Sequence, residues 1–201
     1  MKQIKNLGTI GSILFFGAIV PKIGPFLGLA GLILVIIAIY QISKLSDQKT
    51  IFRDYLVSII LPGVAWALLA IIKELSVVTG SIILVLSVPA LILGLKGNIL
   101  GVIIWVVDLI KGLSITSLLF FALVWVAFII SGFFLKKSFT KIAEVSGVST
   151  FRTIGNLYFI GSILLLLFGL GGILIFTSLI LQVIAFASFP QVFPKQTQPS
   201  G

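Results

Sequence analysis

The sequence predicts an all-α fold, a polytopic transmembrane helical bundle, on three observations. Of its 201 residues, 59% are hydrophobic and only 9% are charged, with a mean hydropathy of +1.31. Apolar runs of membrane-spanning length recur along the chain, and most Lys and Arg residues lie between these runs. Because a soluble domain has about a quarter of its residues charged, these few charges cannot cover a water-facing surface.

Eight apolar segments are predicted to be membrane helices, since a length near 20 residues crosses a hydrocarbon core of about 30 Å. They are residues 7–20, 24–43, 51–72, 75–95, 98–110, 113–135, 153–169 and 172–188. Segment 98–110 is the weakest, because it contains an acid near its end. The alternative is six spans, with residues 75–110 forming a re-entrant or interfacial hairpin.

The cations predict which side of the membrane each loop occupies, since cytoplasmic loops carry an excess of Lys and Arg. With eight crossings and both termini in the cytoplasm, eleven cations lie inside and three lie outside. The three outside are Lys22, Lys73 and Lys111. We therefore expect a multi-pass protein of the cell membrane.

The two ends of the chain resemble each other, which predicts an internal duplication. IKNLGTIGSIL at 4–14 matches IGNLYFIGSIL at 154–164 in eight of eleven residues. LILVIIA at 32–38 matches LILQVIA at 179–185, so the two hairpins are expected to differ by three residues in the turn. Since both hairpins start inside, the repeats are expected to be parallel and not inverted.

A second similarity joins two predicted cytoplasmic loops, ISKLSDQKTIFR at 42–53 and IAEVSGVSTFR at 142–152. In each, a Ser-centred turn precedes a threonine, Thr50 or Thr150, which we expect to cap the following helix. The dipeptide Phe-Arg then opens that helix.

The domain organisation predicted is one membrane domain, residues 1–188, with duplicated hairpins at 4–43 and 154–188. Residues 189–201 are rich in Pro and polar residues and have no apolar period, so we expect a flexible tail.

Four sequence blocks resemble one known family. They are GTIGSIL near the start, the loop followed by Phe-Arg, the block VWVAFIISGFFLKKSFTKIAEVSGVSTFR, and LQVIAFASFP near the end. The chain resembles the prokaryotic, largely archaeal, integral-membrane family catalogued as domain of unknown function 996. The resemblance implies a multi-pass membrane protein, and it implies no activity, substrate or catalytic residue.

The residue inventory excludes several kinds of chemistry. The chain has no His and no Cys, which removes thiolate and imidazole metal sites, disulfides and Cys catalysis. The five acids lie near Lys or Arg at the ends of apolar runs, so we expect no enzyme activity and no cofactor. The net charge of +9 does not indicate nucleic-acid binding, because the cations flank apolar segments instead of forming one stripe.

Arg53 and Arg152 are the candidate residues for binding lipid or a partner. A cation in the first turn of a helix opposes the helix dipole, so some anion should compensate it. One interpretation is that each guanidinium binds a phosphate of an anionic lipid, or a partner's acid, at the cytoplasmic interface. The other is that both arginines are positive-inside anchors, with Asp54 compensating one of them.

Two further groups of residues are singled out, each with a structural interpretation beside the functional one. Asp108 and Lys111 are expected to form an interfacial ion pair, with substrate binding as the alternative. The glycines Gly24, Gly28, Gly31, Gly97 and Gly101 have helix-packing spacing, which serves packing within the chain or self-association.

The function predicted is a non-catalytic structural, assembly or lipid-interacting component of the membrane. Its expected partners are anionic lipids on the cytoplasmic side, and other membrane subunits or a second copy. The alternative is a small transporter or channel, which requires a polar pathway. Convergence of Ser162, Thr177 and Gln182 on a passage would favour transport, and their dispersal against backbone carbonyls would favour the structural role.

Overall fold

The computed structural model describes residues 1–71, 115–166 and 170–190, which form six α-helices and no strand. The helices are α1 (Lys2–Phe16), α2 (Gly24–Leu45), α3 (Lys49–Ile71), α4 (Ile115–Ser146), α5 (Thr150–Ile163) and α6 (Leu170–Ala187). Short 3₁₀ turns, Gly17–Ile19 and Leu164–Leu166, follow α1 and α5. The predicted all-α class is confirmed for these residues, whereas predicted segments 75–95 and 98–110 lie outside them.

Two of the described helical stretches are long and apolar enough to cross a membrane, Gly24–Leu45 and Ala122–Ser146. Gly171–Ala187 is apolar but shorter. The helices α1 and α5 have 15 and 14 residues, fewer than the roughly 20 that a span needs. By length and composition the described residues therefore support two spans, and they do not support the count of eight or six.

The six helices form a closed ring in chain order. Each helix packs against the next, and α6 returns to pack against α1. Two hydrogen bonds show that α4 runs antiparallel to α3: Ser131 donates to the Ser58 carbonyl (2.6 Å) and Ser138 donates to the Ile51 carbonyl (2.9 Å). The ring leaves a central space that all six helices border.

Aromatic side chains fill the end of the ring where α2 meets α3 and α4 meets α5. Phe151 is fully buried there. Its ring centroid lies 5.7 Å from that of Phe139, 5.2 Å from that of Phe186 and 6.2 Å from that of Phe189. Phe189 is only 2% exposed, so the packed part of the chain extends past α6.

The α2–α3 and α4–α5 connections share a local geometry, 100 residues apart. Ser46 and Ser146 each donate a hydroxyl hydrogen bond to the carbonyl four residues earlier, at 2.8 and 2.6 Å. The next residues, Asp47 and Gly147, both have positive φ, 53° and 74°. A left-handed residue after the last turn ends a helix, so the chain reverses in the same way at both connections.

The expected helix caps at Thr50 and Thr150 are wrong. Helix α3 begins at Lys49, and Thr150 is the first residue of α5, so both threonines lie inside a helix. The N-cap of α5 is Ser149, which makes no side-chain cap hydrogen bond.

The predicted register of the two terminal hairpins is not supported. In the first hairpin, Gly11 of α1 packs directly on Gly31 of α2. The sequence match places the counterpart of Gly31 at residue 178, but Gly161 of α5 packs on the backbone of Gly171. The helices of the second hairpin are therefore displaced by seven residues from the predicted alignment, about two helical turns.

Candidate functional site

The candidate site is a cavity of about 210 Å³ at the centre of the ring. The wall includes at least one residue of each described helix. In the order α1 to α6, examples are Phe15, Val35, Tyr55, Leu135, Tyr158 and Gln182. Because the cavity is bordered by all six helices, any change in how the helices pack changes its shape.

The wall is mostly apolar, with two serine hydroxyls that are already satisfied. Ser58 donates to the Tyr55 carbonyl (2.6 Å), and Ser178 donates to the Ile175 carbonyl (2.6 Å). Such bonds to the preceding turn are the usual way for a serine in an apolar helix to satisfy its hydroxyl. These serines therefore add little free hydrogen-bonding capacity to the cavity.

The remaining polar groups of the wall are a glutamine and two tyrosines. Gln182 of α6 donates from Nε2 to the Ser12 hydroxyl of α1 (3.2 Å), which fixes its amide across that helix pair. Tyr55, 5% exposed, has no hydrogen bond from its hydroxyl to any residue that the structure describes. Tyr158 lies close enough to interact electrostatically with Tyr55, and its hydroxyl is near Ser131.

A cluster of charges surrounds Asp54, the residue before Tyr55 on α3. Asp54 is fully buried, and its carboxylate binds two cations. Its Oδ1 accepts a hydrogen bond from Arg53 Nη2 (3.1 Å), and its Oδ2 accepts one from Lys141 Nζ (3.0 Å). Lys137 lies within electrostatic range of the same carboxylate. Three cations thus surround one anion, and the cluster retains a positive charge while joining α3 to α4.

Arg53 and Arg152 do not occupy equivalent positions, although both follow a phenylalanine. The shared geometry of the two connections aligns Ile51 with Phe151, so Arg53 is one residue further along its helix than Arg152. Arg152 lies 3.7 Å from Glu144, and both of those side chains are more than half exposed. Each arginine therefore has an acidic neighbour within the chain, buried for Arg53 and exposed for Arg152.

The predicted packing glycines of α2 face α1 and the turn that follows it. Gly24, Gly28 and Gly31 are buried. A Cβ at Gly24 would meet the Ala18 carbonyl oxygen, and one at Gly31 would meet the backbone of Phe15 and Gly11. Gly97, Gly101, Asp108 and Lys111 lie outside the described residues.

The residues predicted to mark a transport pathway do not converge. Ser162 donates to the Phe159 carbonyl and Thr177 to the Ile173 carbonyl, each within its own helix. Of these three residues, only Gln182 lines the cavity. Trp125, which was not among the predicted site residues, donates from Nε1 to the Ser162 carbonyl (3.1 Å) and ties α4 to α5.

The two tyrosines of the cavity were also missing from the predicted site residues. An aromatic residue near a charged loop is expected at the membrane interface, which fits Tyr40, half exposed and 5.2 Å from Phe52 between ring centroids. Tyr55 instead faces inward. The signal that could have found it was its spacing from Ser58, since residues three apart share one face of a helix.

The residues that the structure describes hold no group of three or more His, Asp or Glu side chains that could bind a metal ion.

Comparisons with known proteins give a family but no activity. The family model described as "Protein of unknown function (DUF996)" matches residues 27–180. An uncharacterized protein of Methanocaldococcus jannaschii is 31% identical over 190 residues, which cover 94% of this chain and 93% of that protein. No solved structure matches the chain.

Proposed function

The chain belongs to the DUF996 family, whose function is unknown, and from this premise we propose a multi-pass membrane protein that interacts with lipid and performs no catalysis. The observation that carries the proposal is the apolar outer surface of the ring. Large apolar side chains are exposed on every described helix, among them Phe26 (77%) and Leu119 (67%). Soluble monomers rarely expose apolar patches of more than a few hundred Å², whereas a lipid-facing surface requires them.

The proposed topology keeps eight crossings, or the alternative six, with both termini in the cytoplasm of the cell. It is supported by the eleven-to-three distribution of cations in the sequence. The duplication of residues 4–43 and 154–188 stays a proposal about origin, supported by the eight-of-eleven sequence match alone.

The lipid interaction is proposed at the charged end of the ring. Support comes from the surplus positive charge around Asp54 and from the exposure of Arg53 and Arg152. Each basic residue near an anionic surface contributes about 1 kcal/mol of attraction. Guanidinium groups also bind phosphate through two parallel hydrogen bonds, which an ammonium cannot do.

Replacing both Arg53 and Arg152 with Lys tests this interaction. The charge and the topology should persist while the retention of anionic lipid after mild-detergent purification falls, as measured by mass spectrometry of bound lipid. Lys22→Ala, at the turn between α1 and α2, is the control and should leave bound lipid unchanged. Equal lipid content in the double variant and the parent would contradict the proposal.

Integral insertion is tested by extracting membranes at alkaline pH. We expect the chain to stay in the pellet with the lipid, because its exposed side chains are apolar on every described helix. Release into the supernatant would contradict the membrane assignment.

The second candidate is a small transporter or channel, favoured by the central cavity. The absence of native cysteine allows a direct discrimination. A Ser178→Cys variant places one thiol on the cavity wall. Reaction with a small, water-soluble, charged thiol reagent in intact membranes would favour transport, and protection from it would favour the non-transporting role that we propose.

A further inference from the structure

The central cavity lies beside a tightly packed part of the ring. At the adjoining end of the ring, Phe139, Phe151 and Phe186 are fully buried and pack against one another. Protein interiors are packed as densely as organic crystals, and they contain few spaces larger than a water molecule. A space of about 210 Å³ beside a filled core is therefore one that a ligand can occupy.

The lining excludes charged ligands. All the described residues that line the cavity are uncharged, and most are aliphatic or aromatic. An ion placed among them would lose its hydration with no opposite charge to replace it. Asp54 lies next to Tyr55 in the chain, but its carboxylate is already bound by Arg53 and Lys141.

The hydroxyl groups define which atom of a ligand the cavity would recognise. Tyr55 is only 5% exposed and lines the cavity, its hydroxyl makes no hydrogen bond to a described residue, and Tyr158 lies beside it. A hydroxyl on the cavity wall that donates to no described residue has its proton available, so a ligand that accepts a hydrogen bond is favoured. The ligand should therefore carry a neutral oxygen, either a carbonyl or a hydroxyl, at the end that meets these tyrosines.

The volume limits how much of the ligand enters. Sites for drug-sized ligands occupy about 300–1,000 Å³, so a cavity of about 210 Å³ holds only a small molecule or one end of a longer one. The apolar outer surface of the ring, and the membrane location proposed from it, make chain-like lipids the nearest source of such a ligand.

We propose that the central cavity binds the oxygen-bearing end of a neutral, chain-like lipid, with Tyr55 and Tyr158 as hydrogen-bond donors to that oxygen. This inference goes beyond the headgroup interaction at Arg53 and Arg152. It rests only on the membrane location proposed above.

The experiment uses a sixteen-carbon alcohol that carries a diazirine near its hydroxyl, added to the full-length protein in detergent micelles and crosslinked by light. We expect saturable labelling that maps to peptides of α3 and α5 around residues 55–59 and 154–158. Unlabelled hexadecanol should compete, whereas hexadecane and hexadecanoate at pH 9 should not. Labelling spread over the outer helix faces, or equal competition by all three compounds, would overturn the proposal.

The three tyrosines of the chain provide matched variants. Tyr55→Phe and Tyr158→Phe remove one hydroxyl each, and each should weaken the probe's apparent affinity by about two- to tenfold, the value of one hydrogen bond. Tyr40→Phe makes the same change on a half-exposed residue outside the cavity, and it should have no effect. Equal affinity in all three variants would overturn the inference.

The readouts separate this proposal from the lipid-interacting role. Both cavity variants should retain anionic lipid, as the parent does, and the Arg53 and Arg152 double variant should retain hexadecanol labelling. Loss of anionic lipid in Tyr55→Phe and Tyr158→Phe would show that the two sites are one, and would overturn a separate cavity site.

Discussion

The contact between α1 and α2 at Gly31 gives the sharpest test of the packing. An alanine Cβ at Gly31 would meet three backbone atoms of α1: the amide nitrogen of Phe15, the carbonyl oxygen of Gly11 and, at 2.9 Å, the carbonyl carbon of Leu14. Backbone atoms cannot rotate away as a side chain can. The Gly31→Ala variant must therefore move the two helices apart.

The magnitude follows from the overlap. Separating the two helices by about 0.5–1 Å forfeits a quarter to a half of each van der Waals contact along their interface. Overpacked positions typically cost about 1–3 kcal/mol. For a chain of this size, that loss lowers the midpoint of thermal unfolding by about 2–12 °C.

The assay is thermal unfolding in detergent, followed by tryptophan fluorescence. Gly63→Ala is the matched control, because Gly63 is exposed inside α3 and no atom of a neighbouring described residue lies within 4 Å of the place that an alanine methyl would take. Alanine favours a helix interior over glycine by up to about 1 kcal/mol, so this control should unfold at the same or a higher temperature. A Gly31→Ala protein as stable as the parent would refute the close packing of α1 on α2.

Two further predictions concern the α3–α4 contact. Ser131→Ala and Ser138→Ala each remove a buried interhelical hydrogen bond, and each should lower the free energy of unfolding by about 0.6 kcal/mol and at most about 1.7 kcal/mol. Thr177→Ala loses only an exposed hydrogen bond within its own helix, so it should lower the free energy of unfolding less. Equal losses in the three variants would contradict the interhelical hydrogen bonds of Ser131 and Ser138. Asp54→Asn removes the anion that Lys141 and Arg53 share and should cost about 1–3 kcal/mol, because both cations keep part of their side chains exposed. Glu144→Gln, in an exposed pair, should cost under about 1 kcal/mol, and a larger loss there than in Asp54→Asn would reverse our ranking.

Helix positions along the chain could be predicted from the sequence because apolar runs mark where helices lie. The predicted segment 51–72 begins two residues after the observed start of α3 at Lys49. The prediction was less accurate at α1, which begins at Lys2, five residues before the predicted segment. Polar residues in the first turns are helical too, so hydropathy alone does not locate a helix start.

Helix register could not be predicted from repeated sequence. Phe-Arg follows both connections, yet the hydrogen bonds align Ile51 with Phe151 and leave the two arginines out of register. One residue of displacement rotates a side chain by about 100° around a helix, which here separates the surroundings of Arg53 from those of Arg152. The dipeptide carried no information about what lies beside each helix.

The cavity could not be predicted because its wall is assembled from all six helices. Tyr55 and Tyr158 are distant in sequence, and only the closed ring brings them together. The same is true of Asp54 and Lys141, whose ion pair joins two helices separated by much of the chain. Sequence spacing identifies the neighbours of a residue on its own helix, and it does not identify those on another.

The measurement that tests the central claim most directly is the labelling of single cysteines by a maleimide that does not cross membranes. The chain has no cysteine, so Ile23→Cys, Gln48→Cys and Ser149→Cys each report one connection. We predict that Ile23→Cys reacts in intact cells, and that Gln48→Cys and Ser149→Cys react only in inverted membrane vesicles. Reaction of all three from the same side of the membrane would contradict a bundle whose charged connections face the cytoplasm.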